Sequence, residues 1–148
     1  MVHALEEIHR LLRPAGVLIE IHPSLEAPPL VEVRSSGSLS FSEEDPGYDY
    51  EDDLRHAEEA VATAVERSVF RLDDRRRFEL RTHAESVKEL RDYWTVYDAY
   101  DPEEKEETLA RLQDEMYARA ATALEVAAGD TEVIYVEPAT MSRLTPVR

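Results

Sequence analysis

The chain has 148 residues, of which 33 are acidic and 17 basic, and a net charge of −16 argues against a basic face for nucleic acid or anionic membrane. With no cysteine, disulfides, thiolate catalysis and cysteine-ligated zinc are excluded together. Hydrophobic content of 43% beside 34% charged residues fits one globular domain over residues 1–148, and the absence of a leader or membrane-length apolar run sets the expected location as cytoplasmic.

In chain order, Leu5, Ile8, Leu11 and Leu12 fall at helical spacing and predict an amphipathic first helix. Arg13-Pro14-Ala15-Gly16 turns the chain, and the apolar run Val17-Leu18-Ile19-Glu20-Ile21 predicts a strand. After the breaks at His22-Pro23 and Ala27-Pro28-Pro29, Leu30 to Ser42 alternates as a hairpin around Ser35-Ser36-Gly37. An acidic loop, Glu43 to Asp53, leads into a helix over Glu51 to Ser68 carrying Leu54, Ala57, Val61, Ala64 and Val65. Two short strands are expected next, Val69 to Leu72 and Arg77 to His83, joined by Asp73-Asp74-Arg75-Arg76. A helix over Ser86 to Tyr97 follows, then a longer one from Asp101 to about Ala128, with Asp101 as N-cap, Pro102 in the first turn and Gly129 as C-cap. A closing strand, Thr131 to Glu137, and a second extended piece, Ala139 to Leu144, end the chain.

The helix, the turn Leu12-Arg13-Pro14-Ala15-Gly16 and the strand Val17–Ile21 together resemble the segment that enters the fifth strand of class I S-adenosylmethionine-dependent methyltransferases. There the turn reads Leu-Arg/Lys-Pro-Gly-Gly, and Ala15 stands here for its first glycine. The resemblance implies the C-terminal half of a Rossmann-like fold: an α+β domain with a small mixed sheet packed with helices. It further implies that the last strand runs antiparallel between the strand Val17–Ile21 and the strand Arg77–His83. The cofactor grip of that family is a glycine-rich turn, yet the four glycines here, Gly16, Gly37, Gly47 and Gly129, form no G-x-G. No cofactor site is therefore expected on this chain alone, and S-adenosylmethionine enters only if a missing N-terminal half is supplied.

Without that half, the strand Val17–Ile21 becomes an apolar edge, which invites pairing. A homodimer along this edge is expected to complete the sheet. Four residues are candidates for substrate contact. Glu20 and His22 share one face at the C-terminal end of the first strand, where ligands of open α/β sheets collect. Arg77 lies in the one cationic cluster, Arg71, Arg75, Arg76, Arg77 and Arg81, which suits an anion or pairs with nearby acids. Tyr97 belongs to the aromatic run Tyr93, Trp94, Tyr97 and Tyr100, whose Trp94 reads as core. His3, His9, His56 and His83 are too scattered for a metal site, although Glu58 and Glu59 adjoin His56.

Two functions compete at this stage. The first is a non-catalytic methyltransferase-like module that binds a small molecule or a partner, or forms the substrate side of a split enzyme. The second is a fragment of an active methyltransferase acting on a small molecule, its cofactor half encoded upstream.

Overall fold

A computed structural model describes residues 2–48, 51–98 and 107–148, with backbone alone for residues 51 and 96–98. The elements are α1 (Val2–Leu11), β1 (Leu18–Pro23), β2 (Leu30–Ser35), β3 (Ser38–Glu44), α2 (Glu51–Glu66), β4 (Phe70–Ala84), α3 (Val87–Asp98), α4 (Glu107–Val126) and β5 (Thr131–Pro146). The fold is α+β, with four helices and a five-stranded sheet among the described residues. The sheet is antiparallel rather than mixed. The chain divides into two compact units, Met1–Ala27, Tyr50–Glu79 and Pro138–Arg148 in the first, Pro28–Asp49 and Leu80–Glu137 in the second.

In the first unit, β1 pairs antiparallel with β5 from Leu18↔Leu144 to Pro23↔Ala139. The expected partner of β1 was the stretch 131–136; the ladder instead uses the second half of β5. The expected closing strand and the extended piece after it are one strand of 16 residues. Pro138 does not interrupt it, because its carbonyl accepts from the Ser24 N–H at 2.7 Å while its own nitrogen has no proton to place. The two short strands expected over 69–83 are likewise one strand, β4. Arg71 with Asp73 (2.7 Å) and Asp74 with Arg76 (2.8 Å) are pairs two residues apart, on the same face of an extended chain. Charges that read as a turn by composition thus satisfy one another in a strand.

Val2, Leu5, Ile8 and Leu12 line the inner side of α1 and its exit, and meet Ala60, Ala64 and Phe70 over Leu144. Phe70 and Leu144 are almost wholly buried. The turn after α1 closes through Gly16 N–H to the Arg13 carbonyl at 2.8 Å. Arg148 donates to the carbonyls of His9 (3.2 Å) and Leu12 (2.5 Å), a cation placed on the negative end of α1. At the end of α2, Val69 N–H reaches the Ala64 carbonyl and Ser68 N–H the Val65 carbonyl, both at 2.9 Å. That double closure needs a left-handed residue, and Ser68 adopts φ 57°.

In the second unit, β2 and β3 form the expected hairpin, with Ser36 (φ 47°) and Gly37 (φ 81°) as its two turn residues. Positive φ at both is the turn whose twist matches a hairpin, and glycine supplies it without strain. β2 also pairs antiparallel with β5 from Leu30↔Val136 to Ser35↔Thr131. Val31, Val33, Leu90, Met116, Ala120 and Val133 are wholly or almost wholly buried and make the core. Trp94 packs against it as expected, 4.7 Å from Tyr135 between ring centroids. Ser86 caps α3, accepting from Glu89 N–H at 3.1 Å while the Glu89 carboxylate accepts from Glu85 N–H at 2.8 Å. The expected cap of α4 at Asp101 and Pro102 lies outside the described residues.

Candidate functional site

Alternation along β1 turns Leu18, Glu20 and His22 inward and Ile19 and Ile21 outward. Directly opposite on β5 stand Leu144, Ser142 and Thr140, each at most 2% exposed. The inner face of this ladder therefore changes from apolar to polar along its length. Leu18 and Leu144 belong to the core, while Glu20, His22, Thr140 and Ser142 form a buried polar row beside it.

The row is organised around His22, which is 7% exposed. Its Nδ1 lies 2.6 Å from Glu20 Oε1, and its Nε2 lies 3.3 Å from Glu58 Oε1 of α2. A ring that carries both protons donates to both carboxylates. Arg75 of β4 donates to the same Glu58 oxygen at 2.8 Å. Two acids and two bases thus close a chain of polar contacts, Glu20–His22–Glu58–Arg75. Glu20 and Glu58 keep 18% and 33% of their side-chain surface exposed, so solvent reaches the row from their side.

Two oxygens in the row are unused. Glu20 Oε2 and Ser142 Oγ are buried and have no hydrogen-bond partner among the described residues. They belong to residues paired directly across the ladder. Buried polar atoms are nearly always satisfied, so two neighbouring exceptions single out this part of the row. A hydroxyl or amine could donate to the carboxylate and also bond the serine.

Of the four expected substrate contacts, the fold brings Glu20 and His22 together. Arg77 instead pairs with Glu26 on the surface of the same unit and is 70% exposed. The side chain of Tyr97 lies outside the described residues. Glu58 and Arg75, adjacent in the sequence reading to other candidates, join the site in their place. The cationic cluster is largely neutralised: Arg71 by Asp73, Arg75 by Glu58, Arg76 by Asp74 and Arg77 by Glu26. Asp73 also accepts from the Thr145 hydroxyl at 2.5 Å, and this bond, with Arg71, holds its carboxyl below the usual range. Among the described residues, no group of three or more metal-ligating side chains is arranged to hold an ion.

A second polar centre, in the other unit, escaped the sequence reading. Asp45 is buried at the end of β3 and accepts from Gly47 N–H (2.8 Å), from the Gln113 amide (2.8 and 3.1 Å) and from the Tyr135 hydroxyl (3.2 Å). Burial and the charge of Asp45 push the Tyr135 hydroxyl far up, so it stays a donor. Among the described residues these contacts are all neutral donors from within the unit, which identifies a structural clamp.

The glycine-rich cofactor grip of a methyltransferase sits between a strand and a following helix. Only Gly47 stands between a strand and a following helix, and a Cβ there would meet Gln113 Nε2 at 2.5 Å. At this glycine the protein's own Gln113 side chain stands where a cofactor-gripping turn would lie open to its ligand. No described helix is long and apolar enough to cross a membrane. No family model, curated protein or solved structure matches the chain.

Proposed function

We propose that the chain is a non-catalytic, methyltransferase-like C-terminal half that binds a small polar molecule in the Glu20–His22–Ser142 row. The observation that carries the binding reading is the pair of unused buried oxygens, Glu20 Oε2 and Ser142 Oγ, on directly opposed residues. The methyltransferase-like reading draws support from the helix, Gly16 turn and strand at the start of the chain. It draws further support from β5, which pairs with both β1 and β4, although β1 meets residues 139–144 rather than the 131–136 stretch that the resemblance implies. The hairpin β2–β3 has no counterpart in that argument, and α4 is longer than it requires.

The ligand class follows from the donors and acceptors. One carboxylate oxygen calls for a donor, and one hydroxyl takes either role. An alcohol or amine of a few heavy atoms answers both. The test is protein NMR of the whole chain with ethanolamine, glycerol and related small alcohols and amines. Saturable shifts in the amides of residues 18–23 and 139–144, abolished in Glu20→Gln, support the reading. Spectra that stay unchanged in those segments with every compound overturn it.

A further inference from the structure

We infer that two copies of this chain join in antiparallel fashion along the open edge of β1, with Ile19 on the two-fold axis. This edge and face of β1 lie opposite the polar row, so neither the ligand nor the ancestry proposed above bears on the contact.

Among the described residues β1 pairs with β5 alone. Ser24 N–H bonds the Pro138 carbonyl in the same register as the ladder, so the even-numbered residues of β1 direct their backbone groups at β5. The N–H and C=O groups of Ile19 and Ile21, and of Val17 just before them, consequently face the open edge. Natural edges are protected by charge, proline or a bulge. None protects this one from residue 17 to residue 21. The single charge there, Glu20, is turned inward to His22, and Val17, Ile19 and Ile21 are 37%, 50% and 53% exposed. On a chain of net charge −16, an uncharged apolar edge is a surface another copy can approach without like-charge repulsion at the contact.

Among the symmetric registers, the one centred on Ile19 is favoured. Centring on Glu20 sets two carboxylates against each other across the axis. Centring on Ile21 sets Ile19 against Pro23, which has no N–H to give. Centring on Leu18 sets Ile21 against the turn at Ala15. Centring on Ile19 places Ile19 against its own copy and each Val17 against Ile21 of the other chain. All three exposed apolar residues then match, every outward N–H among them finds a carbonyl, and no like charges meet. A contact of a single short strand pair is small for a protein interface, so the equilibrium should be weak.

The absence of cysteine makes the register directly readable. Ile19→Cys, at an exposed site, introduces the sole thiol on the axis and should give a disulfide-linked dimer under mild oxidation. Ile21→Cys should not, because the two thiols would sit about 13 Å apart along the strands. Light scattering on the unmodified chain should show mass rising from one copy toward two as its concentration is raised, and Ile19→Lys should remain a single copy. Equal cross-linking of the two cysteine variants would overturn the register. An unmodified chain that stays monomeric up to several hundred micromolar would overturn the dimer.

Discussion

Glu20 and Ser142 face each other across the β1–β5 ladder, and each keeps one buried oxygen without a partner among the described residues. A buried hydroxyl left unpaired costs about 1–3 kcal/mol. In the ligand-free protein Ser142→Ala should therefore raise the unfolding free energy by about 1 kcal/mol, measured by urea denaturation. A loss of similar size would mean that the hydroxyl is satisfied in solution before any ligand arrives.

Ser68 closes α2 in a left-handed conformation that glycine adopts without a Cβ penalty. Ser68→Gly should stabilise the fold by about 0.5–1 kcal/mol, the relief being partly offset by the greater freedom of glycine in the unfolded chain. An unchanged or lower melting temperature would contradict this.

Gly47 has no room for a side chain, since a Cβ would fall 2.5 Å from Gln113 Nε2. Gly47→Ala should displace Gln113 from Asp45 and leave that buried carboxylate short of a donor, at a cost of about 1–3 kcal/mol. Gln113→Ala alone should lose a comparable amount, and the double variant should cost less than the sum. Full additivity would show that the two residues do not share the clamp.

Two carboxyls of the second unit should respond to pH with opposite sign. Arg119 grips Glu43 through two guanidinium nitrogens at 2.9 and 2.6 Å and lowers its carboxyl in the folded state. Its contribution is complete above the unfolded value and is lost as pH falls through the folded one, so Glu43→Gln should lower stability at pH 7 more than at pH 3. Burial raises the carboxyl of Glu137 instead. A raised carboxyl favours the fold below its unfolded value, and that advantage is lost as pH rises through the folded one. Glu137→Gln should therefore stabilise the protein at pH 7 and bring little change at pH 4. Denaturation curves of both variants at these pH values check the signs.

Much of the fold is legible in the sequence because its signals are local. The i, i+3, i+4 pattern of α1, the Ser-Ser-Gly turn of the β2–β3 hairpin and the strand alternation that pairs Glu20 with His22 all act within a few residues. The rest depends on partners far along the chain. The continuity of β4 is hidden because Asp73-Asp74-Arg75-Arg76 has the composition of a turn, and only the same-face pairing of alternate residues keeps it extended. Glu58 reaches His22 from a helix 36 positions away, and Arg75 arrives from β4. Ser142 and Thr140 alternate with Leu144 in a way that hints at a shared face, but nothing in that spacing says that Glu20 and His22 stand opposite. Arg77 illustrates the converse: its cationic neighbourhood suggests a ligand, and the register of a long strand gives it Glu26.

The most direct test of a substrate-side half without a cofactor site of its own is calorimetric titration of S-adenosylmethionine into the purified chain at known oligomeric state. We expect no saturable heat up to millimolar cofactor, since Gln113 fills the space at Gly47 and no other glycine joins a strand to a helix. Saturable binding at one site per chain, or one per dimer, would contradict the account and return the protein to the enzymes.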